Sequence, residues 1–348
     1  MLSKVNTEVT EFLAFATRWC HNRFFGGDRL KNVLVVILSV VFYSSIGFSQ
    51  GWIAHSPTGK VDLVAVYFTS ASRGFVAGDE GYLASTGDGG KTWTKYFLNT
   101  NQNINEIYFR NEDNGYLVAG RLLFITQDGG RTWQETRIYK TTDFKNGAPE
   151  LISIRFSDKK RGLAIGSIVN KNDEIIDSLV MKTDDGGSTW TRVLIPSKAE
   201  LFHLDFNGNS HGWIVGDKGL ILTTDDGGDN WRVQRSGVSR ALFSVDFRDD
   251  NDGFAVGGGG TIIRTEDGGR TWEKVSTNFT DTFKRVNFAD DKNGWIVGHK
   301  GTILRTQDKG RTWVRQESNI KADLYGLFMQ KKYGWDVGAA GSTIKKKK

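Results

Sequence analysis

The sequence predicts an all-β fold, a seven-bladed β-propeller with four-stranded antiparallel blades whose ring is closed by the N-terminal strand. Three observations predict it. A nine-residue motif recurs at nearly constant spacing, a second motif of short apolar runs precedes each copy, and no segment shows helical periodicity over ten residues. Composition agrees, because 42 Gly and only 3 Pro in 348 residues, with 11 Trp and 22 Phe, suit many short strands joined by tight turns.

The chain opens with a leader. Residues 33 to 48 read VLVVILSVVFYSSIGF and follow Arg23, Arg29 and Lys31, a basic flank before a short apolar segment. Sixteen residues is short for a membrane span. Gly47 and Ser49 offer small side chains for cleavage before Gln50, so residues 1–49 are expected to form an N-terminal leader and export signal, with a retained anchor at 33–48 as the alternative. The thirty residues before the apolar core are unusual for such a signal, and translation starting near Leu30 would account for them. Cys20 is the only cysteine, which rules out an intramolecular disulfide and a thiol cluster for metal.

The repeat fills residues 50–344. Its copies are STGDGGKTW (85–93), ITQDGGRTW (125–133), KTDDGGSTW (182–190), TTDDGGDNW (223–231), RTEDGGRTW (264–272) and RTQDKGRTW (305–313). The tryptophans Trp93, Trp133, Trp190, Trp231, Trp272 and Trp313 are separated by 40, 57, 41, 41 and 41 residues, so one repeat carries an insertion. The second motif, a Phe followed by a polar stretch and then Gly, an aromatic or aliphatic residue and a short apolar run, starts at Phe68, Phe109, Phe156, Phe206, Phe247, Phe288 and Phe328. Seven of one and six of the other imply a split repeat. Trp52 lies 16 residues before Phe68, the spacing of Trp93 to Phe109, and so takes the place of a seventh motif Trp. The N-terminal strand is therefore expected to complete the C-terminal blade, which removes two exposed sheet edges. Residues 345–348 read as a lysine tail, and IKKKK stands where a seventh box is expected.

Within one repeat, 283–315, the strands read FKRVNF, GWIVG, GTILRT and TWVRQ, with alternating apolar and polar positions. The net charge of +6 is concentrated outside the repeats, since residues 1 to 32 hold five Lys or Arg against three Asp or Glu and Lys345 to Lys348 supply four more. The body is near neutral, which excludes the electrostatic footprint of a nucleic-acid binder.

Other candidate sites give way to simpler readings. Gly257 to Gly260 precede the strand TIIRT rather than a helix, so they form a turn and not a phosphate loop. Asp249-Asp250-Asn251-Asp252-Gly253 lacks the acidic twelfth position of a calcium loop. His21, His55, His203, His211 and His299 have no metal-ligand spacing, and no cofactor or metal is expected.

The pattern Ser/Thr-x-Asp-x-Gly-x-Thr-Trp resembles the Asp-box, or bacterial neuraminidase repeat, with departures at Asn230 and Lys309. The combination with Gly-Trp-x-Val-Gly most resembles the propeller family of photosystem II stability and assembly factors, over residues 52 to 344. Chemically the box is a hairpin device: Gly takes positive φ, and the Asp accepts N–H bonds across the turn while the Trp packs inward. Asp88, Asp128, Asp185, Asp226, Asp267 and Asp308 are therefore expected to be structural, since a sixfold repeated acid cannot face one substrate. A sialidase would also carry these boxes, but resemblance to that family requires an Arg-Ile-Pro signature, and the nearest string here is Leu194-Ile195-Pro196.

The resemblance implies a non-catalytic, exported and monomeric protein that binds photosystem II subunits if the host is photosynthetic. It would work in the periplasm, thylakoid lumen or at the cell surface and touch membrane only through its N-terminal segment. The alternative is a secreted or surface propeller that binds protein or glycan in a non-photosynthetic bacterium. In antiparallel blades the loops after strands 2 and 4 share one face, and both irregular stretches lie there: the 23-residue step from Trp133 to Phe156, and SIVNKNDEIIDSLV at 167–180. Arg121, Lys140, Lys145, Lys171, Lys218, Arg240 and Lys300 surround that face and are the candidate partner-binding residues.

Overall fold

The computed structural model describes residues 52–55, 60–144 and 147–346. Seven four-stranded antiparallel sheets follow one another along the chain. Six are continuous in sequence, at 63–96, 104–136, 148–192, 201–234, 242–274 and 283–315. The seventh contains Leu324–Met329, Gly334–Gly338 and Thr343–Lys346, and its outer place is taken by Trp52–His55. The pairing runs from Trp52 opposite Lys346 to His55 opposite Thr343, so the N-terminal strand closes the ring as the spacing predicts. Trp52 is buried beside Trp295, Leu324 and Ile344. The third strand of this blade extends through Lys346, two residues into the expected lysine tail, because Lys345 and Lys346 pair with Ile53 and Trp52. The expected leader and export signal lie outside the described residues.

The blades are stapled together by aromatic pairs. In five of the seven blades the residue after the second-strand Gly stacks on the motif Phe of the next blade, as do Phe75 on Phe109 at 4.9 Å, Tyr116 on Phe156 at 4.2 Å, Trp213 on Phe247 at 3.4 Å, Phe254 on Phe288 at 4.8 Å and Trp335 on Phe68 at 5.2 Å. The box Trp then meets that pair edge-on, as Trp93 meets Phe68 and Trp335, and Trp313 meets Phe254 and Phe288. The box tryptophans thus pack between neighbouring blades as well as within their own. The second box Gly completes the staple. A Cβ on Gly90 would sit 2.2 Å from the Trp335 ring, and φ there is +79°, so only Gly fits on both counts.

Two expectations are corrected. Met329, not Phe328, pairs with Gly334 at the place the motif Phe takes in other blades, because the first turn of this blade is one residue shorter. Phe328 consequently faces the central channel. The segment 167–180 is mostly strand, since Gly162–Val169 and Ile175–Thr183 form a long hairpin around the turn at 170–174. Its β-branched residues at 168, 169, 175 and 176 favour continuing the ladder.

The innermost strands of the seven blades contact one another around the axis. Six of the seven have a register shift between their first and third residues; in the third blade, the shift falls between Leu151 and Ser153 of a longer strand. This bulge turns the third and fifth positions toward a central cavity.

Candidate functional site

The six boxes share one bonding scheme. Asp88 accepts the N–H groups of Lys91 and Thr92 on Oδ1, at 2.9 and 3.0 Å, and the Thr92 hydroxyl on Oδ2 at 2.6 Å. Thr86 donates to Asp88 at 2.8 Å and accepts the buried Gly90 N–H at 2.8 Å. Asn230 replaces Thr without loss, donating its side-chain amide to Asp226 at 2.8 Å. Lys309 replaces Gly and still adopts φ +66°. Hydrogen bonds from the Thr189 hydroxyl and N–H hold Asp185 down at about 2. Each box aspartate is engaged by donors of its own turn.

The candidate cations are placed on separate turns of one face. Lys218 and Lys300 occupy the left-handed first position of tight turns, φ 55° and 57°, each followed by a left-handed Gly. Lys300 lies 3.3 Å from Asp281, and Lys171 and Arg240 are exposed. Lys145 lies outside the described residues. Among the described candidates, Arg121 and Lys140 share a concavity, an open groove of about 970 Å³ between the second and third blades. The insertion builds its wall: Ile138 and Phe144 are buried against Leu151 and Ile168, and the Tyr139 hydroxyl donates to the Arg121 carbonyl at 2.8 Å. Arg137 and Arg192 add two cations, and Trp190 adds an aromatic surface, beside the acidic Glu135 and Asp143. Arg192 lies over the Phe144 ring at 5.4 Å and pairs with Asp177 at 2.7 Å.

A second site, absent from the sequence expectations, lies on the axis. Glu106 is buried, accepts the Ile154 N–H at 3.0 Å, and binds Arg155 at 2.8 Å and Arg285 at 3.0 Å. Burial alone would raise its carboxyl, but the two guanidiniums hold it well below the usual range. His203 is buried beside Arg155, 3.1 Å away, and burial with the charge of Arg285 lowers it to about 3, so it is neutral. Burial pushes Asp205 up to about 6, and burial together with the charge of Asp205 pushes Asp246 up to about 7. The signal in the sequence was the residue before each motif Phe, which is Arg155, Asp205, Asp246 and Asn287 in four blades where an apolar strand residue would serve the core.

Fold and sites define a class: a closed Asp-box propeller whose repeated acids hold turns, with an irregular cationic groove between its second and third blades. The model of the family described as Photosynthesis system II assembly factor YCF48 matches residues 93–200, 188–278 and 234–327, and the chain belongs to that family. Photosystem II assembly lipoprotein Ycf48 of Synechococcus sp. (strain CC9902) is 27% identical over 199 residues, 54% of this chain and 55% of that protein. The chain thus spans about half the length of that curated relative. Among solved structures, YCF48 bound to D1 peptide superposes with a TM-score of 0.69 at 19% identity, covering 85% of this chain and 97% of that one. The GH74 xyloglucanase of Xanthomonas campestris superposes with a TM-score of 0.65 at 13% identity, covering 85% of this chain and 53% of that one. At such identities the likeness is one of fold, and the same fold carries enzymes as well as assembly factors.

Proposed function

We propose that this protein is a non-catalytic assembly factor that holds an extended polypeptide segment of a photosystem II subunit in the groove between its second and third blades. The observation that carries the reading is the tandem match to the assembly-factor family over residues 93 to 327, which contains every residue of the groove. Arg121, Arg137 and Lys140 offer donors for carboxylates and carbonyls, while Trp190 and Phe144 offer apolar area, a combination suited to a peptide. A relative is named a lipoprotein and another holds a D1 peptide, which supports work at a membrane surface after export by the leader. The monomer and the remaining candidate cations, Lys171, Lys218, Arg240 and Lys300, form part of the same proposal, as a rim that steers an acidic segment.

The test is titration of a D1 peptide onto the immobilised protein, wild type against Arg121→Glu with Arg137→Glu. Saturable binding weakened at least about tenfold by the double reversal supports the reading. Equal binding by both proteins places the peptide elsewhere, and no binding by either removes the proposed partner.

A further inference from the structure

The fifth positions of the innermost strands form a ring, one side chain per blade, around a cavity of about 220 Å³. The ring is not symmetric. Blades seven, one and two contribute an aromatic arc, with Phe328 5.0 Å from Tyr67, and Tyr67 edge-on to Tyr108 at 6.0 Å. Blades four, five and six contribute Asp205, Asp246 and Asn287 on the other side of the axis.

Each member of the second arc is aimed by the next blade. Asp205 accepts the Phe247 N–H at 2.8 Å, Asp246 accepts the Phe288 N–H at 2.9 Å, and Asn287 Oδ1 accepts the Met329 N–H at 2.8 Å. These bonds fix direction but supply no full positive charge. The groups facing the pair are Glu106, Arg155, Arg285, neutral His203 and the two tyrosines. Three carboxylates therefore meet two guanidiniums, and both of these bind Glu106. The channel is one positive charge short, and burial raises the carboxyls of Asp205 and Asp246, that of Asp246 further through the charge of Asp205.

We propose that the channel binds a primary alkylammonium group, its three N–H donors directed at Asp205, Asp246 and Asn287 and its alkyl stem laid against Phe328 and Tyr67. Three acceptors match the three donors of an ammonium, and the aromatic arc suits both its stem and its charge. The ring lies at the box-turn end of the innermost strands, so the ligand enters from the face opposite the groove, and the proposal is independent of the docking reading. A lysine side chain of a polypeptide and a free amine share this chemistry.

Calorimetric titration of the full chain with n-butylammonium chloride, beside n-butanol as the neutral isostere, tests it. Saturable binding of butylammonium alone is expected, at least about tenfold tighter near pH 8 than near pH 5, because protonation of the raised carboxyls in acid removes the charge that the ammonium pairs with. Asp246→Asn and Asp205→Asn should each abolish it while retaining the wild-type near-ultraviolet dichroism. The wild-type pH comparison stands even if a variant fails to fold. An N-acetyl-lysine amide that binds more tightly than butylammonium identifies a polypeptide ligand, and equal or weaker binding identifies a free amine. Equal heats for butylammonium and butanol, binding independent of pH, or full binding by folded Asp246→Asn would overturn the proposal.

Discussion

The box aspartates and the channel aspartates are the same side chain in opposite circumstances. Asp185 sits near solvent, surrounded by donors from its own turn, and is held down at about 2 by the hydroxyl and N–H of Thr189. Asp246 faces the central channel, receives the Phe288 N–H and the Asn287 amide, and is pushed up to about 7 by burial and by Asp205. The first environment is written identically into six turns; the second occurs once. Repetition in this chain marks what every blade needs to stand beside its neighbour, and departures from repetition mark where the ring differs chemically from one side to the other.

The largest expected effect breaks the shared part. Trp213→Ala removes a fully buried ring stacked on Phe247, and denaturant unfolding should show a loss of about 3 to 5 kcal/mol. Asp336 is the counterpart, an acid placed by departure from the repeat. It occupies a second-strand position that is Ile in the fourth and sixth blades, it is fully buried, and neither oxygen has a hydrogen-bond partner among the described residues. Burial raises its carboxyl well above the ordinary range, and the nearby Val337 N–H offsets little of this. Because the folded value is raised, stability present below the ordinary carboxylate range is lost as pH rises through the folded value. Asp336→Ile should therefore stabilise the protein by about 1 to 3 kcal/mol at neutral pH and by much less in acid, as thermal melts across pH would show.

Thr224→Val leaves the buried Gly228 N–H without its acceptor and should cost about 1 to 2 kcal/mol in the same unfolding assay. The smallest effects separate the two kinds of aspartate by pH. Asp205→Asn or Asp246→Asn should flatten the fall in stability between about pH 4 and pH 7, since both folded values are raised. Asp185→Asn should destabilise the protein at neutral pH and progressively less in acid, because a lowered folded value contributes stability that is lost as pH falls toward about 2.

Much of the fold was legible because its signals are local. Gly pairs, box Asp and Trp recur at one spacing, and Trp52 could be assigned to the last blade by counting alone. Phe328 was misplaced for the same reason: counting assumes a constant first turn, and that turn is one residue shorter in the last blade. The stretch 167–180 reads as an enlarged turn because a departure from the repeat looks like a loss of structure, although its residues keep strand character. The channel was illegible because its chemistry depends on bringing Glu106 within 3.0 Å of Arg285, 179 residues away, which only closure of the ring achieves. The groove was half visible. Arg121 and Lys140 were found from turn positions, but Arg192 lies on an outer strand, and Arg137 and Trp190 lie immediately beside outer strands, that the repeat presents as ordinary.

The most direct test of the account measures peptide binding by three proteins side by side: wild type, Arg121→Glu with Arg137→Glu, and Asp205→Asn with Asp246→Asn. The account predicts that reversing the groove weakens binding of a photosystem II subunit segment at least about tenfold, while the channel variant binds as wild type does. Full binding by the groove variant, or loss confined to the channel variant, would contradict it.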